Sequence, residues 1–106
     1  MIQPKIISSS PNFELARWSS GETYLHLSPP DFPNDLPACE KWLIPAVLHE
    51  GYIIFVHINR RQKVVTIVPE MPVGGYRHLV AKGETLAEAI TAACRELLKE
   101  ARNAKK

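Results

Sequence analysis

Two short runs constrain this chain more than anything else in it. Tyr52-Ile53-Ile54-Phe55-Val56-His57-Ile58 and Lys63-Val64-Val65-Thr66-Ile67-Val68 are dense in β-branched and aromatic side chains, which favour strands. The polar Asn59-Arg60-Arg61-Gln62 joins them as a turn. A strand with one wet face alternates apolar and polar residues, and these strands do not. In the first, Tyr52, Ile54, Val56 and Ile58 share one face while Ile53, Phe55 and His57 share the other; in the second, Val64, Thr66 and Val68 oppose Val65 and Ile67. Burying a large aliphatic side chain contributes roughly 1.5–3 kcal/mol, so an apolar face left in water forfeits several such contributions. The pattern therefore predicts a sheet covered on both sides. Residues 1–50 hold apolar groups with no other home, so cover from within the chain is favoured over a second copy. A face left incompletely covered becomes a partner surface.

The segment after these strands supplies the first lid. A third strand is expected from Tyr76 to Lys82, beyond the loop Pro69-Glu70-Met71-Pro72-Val73-Gly74-Gly75. Thr85 followed by Glu88 forms a capping box, a reciprocal arrangement that satisfies two orphan amides at a helix start. The helix should run from Leu86 to about Arg102, with Leu86, Ile90, Ala93, Leu97 and Ala101 on one face and Ala89, Cys94 and Leu98 widening it. Residues 103–106 read as a frayed tail.

The first half offers candidates for the second lid. Residues 1–12 read as a lead-in segment. Residues 12–28 read as a hairpin: Phe13, Leu15 and Arg17 alternate with Glu14, Ala16 and Trp18, and Ser19-Ser20-Gly21-Glu22 has the length and composition of a hairpin loop. Pro29, Pro30, Pro33 and Pro37 make a stiff connector, because proline fixes φ and removes a donor. Asp35 would cap a helix from Leu36 to His49, closed by Gly51, with Trp42, Leu43, Ala46 and Val47 as its stripe. Pro45 predicts a kink or a split at Ile44. The expected architecture is a single α+β domain over residues 1–106. It is a mostly antiparallel sheet with the capped C-terminal helix on one face, and a second helix or the N-terminal hairpin on the other.

The run Val64-Val65-Thr66-Ile67-Val68-Pro69-Glu70-Met71-Pro72, followed by Val80-Ala81-Lys82-Gly83-Glu84-Thr85-Leu86-Ala87-Glu88-Ala89-Ile90, resembles the core of HicB-type antitoxins. There a strand ends in a Pro-acidic-apolar-Pro stretch, and a further strand leads into Gly-x-Thr-x-x-Glu-Ala and a helix. The likeness spans roughly residues 52–100; the insertion Val73–Arg77 departs from it, and the N-terminal half has no counterpart. It implies a non-catalytic binding module and names no partner. Small phage-encoded proteins show a similar ending.

Composition narrows the chemistry. The chain has 106 residues and a formal net charge of +2, too small to advertise a nucleic-acid or membrane surface by itself. No apolar run approaches the roughly 20 residues of a membrane span, and the N-terminus lacks the pattern of a secretory signal; a cytoplasmic protein is expected. Cys39 and Cys94 stand far apart with no companion thiol, and read as small buried hydrophobes. His26, His49, His57 and His78 lack any metal-ligand spacing, and no serine sits in a nucleophile elbow. No catalytic residue, metal site or cofactor is therefore expected. The basic residues are more informative. Arg60, Arg61 and Lys63 crowd the hairpin tip, where guanidinium groups could meet phosphates, and Arg77 and Lys82 flank the third strand. The leading expectation is a small non-enzymatic protein-binding or regulatory module, antitoxin-like or a phage-derived inhibitor, whose partner is another protein or a second copy. A nucleic-acid-binding domain using Arg60, Arg61, Lys63 and Arg77 is the alternative. An enzyme acting as an oligomer ranks below both.

Overall fold

The computed structural model describes residues 11–25, 28–70 and 78–104. The fold is α+β. Helix α1 (Pro11–Ser19) is followed by a 3₁₀ turn at Phe32–Asn34. Then Leu36–Ala38, a π-helical turn at Cys39–Leu43 and Ile44–His49 run on without a break, together forming α2 (36–49). Strands β1 (Tyr52–Ile58), β2 (Lys63–Pro69) and β3 (Leu79–Gly83) make an antiparallel meander in the order β1-β2-β3, and α3 (Leu86–Ala104) completes the chain. The third strand thus begins later than expected, and residues 71–77, Arg77 among them, lie outside the described residues.

The expected N-terminal hairpin is a helix. Pro11 starts it, Glu14 lies in its first turn and Arg17 in its last, which suits both the preference for proline at a helix start and the macrodipole. Gly21 and Glu22 both have positive φ, 74° and 69°, and the Glu22 amide donates to the Arg17 carbonyl. Glycine closes a helix as readily as it turns a hairpin, so Ser19–Glu22 fitted both readings. Phe13, Leu15 and Ala16 are buried, a spacing in which adjacent residues share a helical face. Tyr24 then stacks edge-on against Phe13 and against Trp42, with ring centroids 5.6 and 6.1 Å apart, tying α1 to α2.

In α2 the expected cap is present: the Ala38 amide donates to the Asp35 carboxylate at 3.1 Å, and Gly51 ends the element with φ 89°. Pro45 falls where the helix changes type: the π turn ends at Leu43 and α-helical bonding resumes at Ile44, the position where the sequence places a kink or split. The Ile44 amide reaches back five residues to the Cys39 carbonyl, and this wider turn relieves the crowding a proline ring causes one turn back. Leu43 and Val47 are fully buried.

The junction before α3 is tightly determined. The Glu88 amide donates to Thr85 Oγ1 at 3.2 Å, while Glu88 Oε1 accepts from the amides of Glu84 and Thr85 at 3.0 and 3.3 Å. A Cβ on Gly83 would stand 2.7 Å from the Ala89 nitrogen, so only glycine allows the strand to run this close to the helix. Helix α3 presses Ala89, Ile90, Ala93 and Leu97 into one core with Val65, Ile67 and Ala81 of the sheet. It also packs against the 32–43 segment. There Phe32 is fully buried, and the Cys39 thiol donates to the Phe32 carbonyl at 3.2 Å, with Thr91 Oγ1 3.7 Å away.

The second lid is absent among the described residues. The register pairs Ile53 with Val68, Phe55 with Thr66 and Val80, and His57 with Val64 and Lys82. On that face Ile53, Phe55 and Val80 are 36%, 49% and 53% exposed. Helices α1 and α2 instead join the core that α3 and the opposite, inner face of the sheet share. The described apolar groups of the first half pack against one another and against α3, so no described element covers the outer face.

Both thiols are buried and free. Burial pushes the Cys39 thiol up, the Thr91 hydroxyl partly opposing it, and burial pushes Cys94 up to about 12. A group that holds its proton longer when folded makes the native state bind more protons than the unfolded chain, so stability falls as pH rises from the ordinary thiol range toward 12. Denaturant titrations at about pH 8 and about pH 10.5 should show a smaller loss in Cys94→Ala than in the unsubstituted chain. Gly83→Ala should destabilise by about 1–3 kcal/mol through overpacking, and Thr85→Ala by about 1 kcal/mol through the lost cap, both measured by the same titrations.

Candidate functional site

The open face is built by the sheet's own pleat. Alternation along β1 sends Ile53, Phe55 and His57 outward; β2 contributes Val64, Thr66 and Val68, and β3 contributes Val80 and Lys82. Phe55 stands at the centre, flanked across the strands by Thr66 and Val80. None of the face's apolar side chains belongs to the core or packs against it. An apolar, solvated, pre-formed surface of this kind is what an interface presents before its partner arrives. Toward the hairpin end the character changes: the His57–Val64–Lys82 row brings an imidazole and an ammonium group to the rim.

The hairpin tip is rigidly made. Asn59 Oδ1 accepts from the amides of Arg61 and Gln62, both at 2.9 Å, and the Asn59 amide donates to the Gln62 carbonyl. This side-chain-mediated turn leaves Arg60 and Arg61 exposed around an open hollow of about 500 Å³. No ion pair among the described residues engages either guanidinium. Lys63 is placed otherwise. It pairs with Ile58 and Gly83 on the inner face, so the structure does not gather it with Lys82. Of the four expected basic residues, Arg60 and Arg61 come together, Lys63 points to the opposite side of the sheet, and Arg77 lies outside the described residues. That Lys82 and His57 share one row of the outer face was legible only once the register was known.

The other groups that carry chemistry are dispersed. His57 on β1 and His78 beside β3 are separated by β2, and among the described residues no three His, Cys, Asp or Glu side chains gather as a metal site would require. A shallow hollow of about 350 Å³ lies between residues 18–21 and 45–50, and a smaller one, about 170 Å³, lies between α1 and α3 and is lined by Pro11, Glu14, Leu15, Arg95, Leu98 and Lys99. Arg95 spans its floor to Asn12 Oδ1 at 3.4 Å, while its Nε is buried without a hydrogen-bond partner. That contact fastens the two helices together. No described helix is long and apolar enough to cross a membrane.

Set against known proteins, the chain matches no family model, no curated protein and no solved structure.

Proposed function

We propose that this chain is a small non-enzymatic module that binds another protein through the outer face of its sheet, in the manner of an antitoxin or a phage-derived inhibitor. The observation that carries the reading is the open apolar surface centred on Phe55, with Ile53 and Val80 beside it. Leaving these side chains in water forgoes several kcal/mol of burial, and a partner would recover it. The resemblance of Gly83-Glu84-Thr85 and Glu88-Ala89 to the HicB-type junction supports the same class of function. Aromatic residues at the centre of a patch are the usual anchors of such interfaces, and Phe55 holds that position.

A second reading draws on the rim. Arg60 and Arg61 at the tip, with Lys82 near the exposed Phe55 ring, combine cations with an aromatic surface, the pairing that single-stranded nucleic acids use. The two readings separate cleanly. Affinity capture with the full chain should recover a specific protein that Phe55→Glu releases, with binding weakened about 30-fold or more and stability changed by less than about 0.5 kcal/mol. Capture that is indifferent to Phe55→Glu contradicts the protein-binding reading. Titration with single-stranded RNA at two salt concentrations, repeated with Arg60→Glu and Arg61→Glu, checks the second. Binding that weakens with salt and is lost on charge reversal would support it.

A further inference from the structure

The outer face is one unsatisfied surface of the sheet; the free edge of β1 is another, and its chemistry is more specific. In the hairpin ladder, the Asn59 amide donates to Gln62 and the Glu70 amide donates to Gly51. With the register in hand, those two bonds fix the alternation. Residues 51, 53, 55, 57 and 59 spend their backbone groups on β2, and Pro69, which has no amide proton, falls opposite Tyr52 at a position that needs none. The N–H and C=O groups of Tyr52, Ile54, Val56 and Ile58 therefore point away from the sheet, and no described residue pairs with them. A row of unpaired strand groups is matched by one kind of ligand, another extended strand.

The two edges of the sheet differ in how they are guarded. Strand β3 is five residues long and carries Lys82, whereas β1 is seven residues long with no proline and no Lys, Arg, Asp or Glu. Short length and charge are the usual means of blunting an edge, and β1 has neither. Its far half is also bare on both sides: Phe55, Val56 and Ile58 are 49%, 44% and 65% exposed.

We infer that β1 pairs with β1 of a second copy of this chain, antiparallel about a two-fold axis at Phe55, to make one continuous six-stranded sheet. One register uses every outward group. Tyr52 lies opposite Ile58 of the other copy and Ile54 opposite Val56, so all four outward residues of each strand exchange both bonds. Strand β1 holds no Lys, Arg, Asp or Glu, so none of these meets its like across the axis. Carried one step past the strand ends, the same register brings the exposed Arg60 of one copy alongside the exposed Glu50 of the other, twice by symmetry. It also lays Tyr52 and Ile54 beside the under-covered Ile58 and Val56. The Phe55 rings of the two copies become neighbours on the outer face, doubling the platform without burying it. The inference concerns the edge and stands apart from what docks on that face.

Sedimentation of the full chain across a concentration range should give a reversible dimer. Val56→Pro removes one outward amide and leaves the β1–β2 ladder intact, since an edge strand tolerates proline where the amide faces away from the sheet. That variant should keep its circular dichroism spectrum and sediment as a monomer, while capture with Val80→Glu, on the outer face two strands from the axis, tests the face separately. Phe55→Cys, treated with diamide, should form a covalent dimer within minutes, because opposed residues of a non-hydrogen-bonded pair come within disulfide reach. Val80→Cys, two strands further from the axis, should not. A chain that stays monomeric at every concentration overturns the inference and leaves the edge to a foreign strand. A Val56→Pro variant that is folded and still dimeric, or a Val80→Cys variant that cross-links as fast as Phe55→Cys, also overturns it.

Discussion

The packing of α3 against the inner face of β2 and β3 is the contact on which the rest of this structure depends. Val65, Ile67 and Ala81 meet the helix in a core that includes Ala89, Ile90, Ala93 and Leu97. At roughly 1.5–3 kcal/mol for each large aliphatic buried, it is a large share of what a chain this short can gain. Gly83 and the Thr85–Glu88 box set where the helix begins and how near it lies. The helix is small-residue-rich on its other flank, where Ala87 and Thr91 are buried, and that flank receives Phe32 and Cys39. One helix thus serves two neighbours, and among the described residues the sheet has cover on one side.

That asymmetry carries the functional argument. A three-stranded sheet with apolar residues on both faces ordinarily becomes the middle of a sandwich; here it is an outer layer. Its residues keep a strand-like hydrophobicity that folding alone does not require at Ile53, Phe55 and Val80. Surface exposure of single apolar residues is ordinary, but these three lie on one face, around a phenylalanine, on a rigid support. The face and the β1 edge meet at Phe55, so an exposed apolar surface and a row of unpaired backbone groups adjoin.

How much of this was legible in the sequence depends on how local the signal was. The three strands, the Asp35 cap, the Gly51 stop and the Thr85–Glu88 box all rest on residues within four or five positions of one another, and all appear. Helix α1 was misread because nine residues with Phe13, Leu15 and a terminal glycine satisfy both a strand period and a helical one. The change of helix type at Ile44 was legible from Pro45, while the π turn that precedes it leaves no mark in composition. Phe32 was passed over as a lone aromatic among prolines, yet it fills the gap between α2 and α3. The basic tip was half legible: Arg60 and Arg61 sit together as neighbours in a turn must, while the placement of Lys63 and Lys82 on opposite faces follows from register, a long-range property. The open face itself could not be read, since whether residues 11–50 cover the sheet or the helix is a question of docking, not of pattern.

Solvent accessibility of individual methyl groups tests the central claim most directly. With the full chain labelled at isoleucine and valine methyls and a soluble paramagnetic agent added, the signals of Ile53 and Val80 should broaden rapidly, while those of Val65 and Ile67 persist. Equal protection of all four would mean that both sides of the sheet are covered, and would contradict the account.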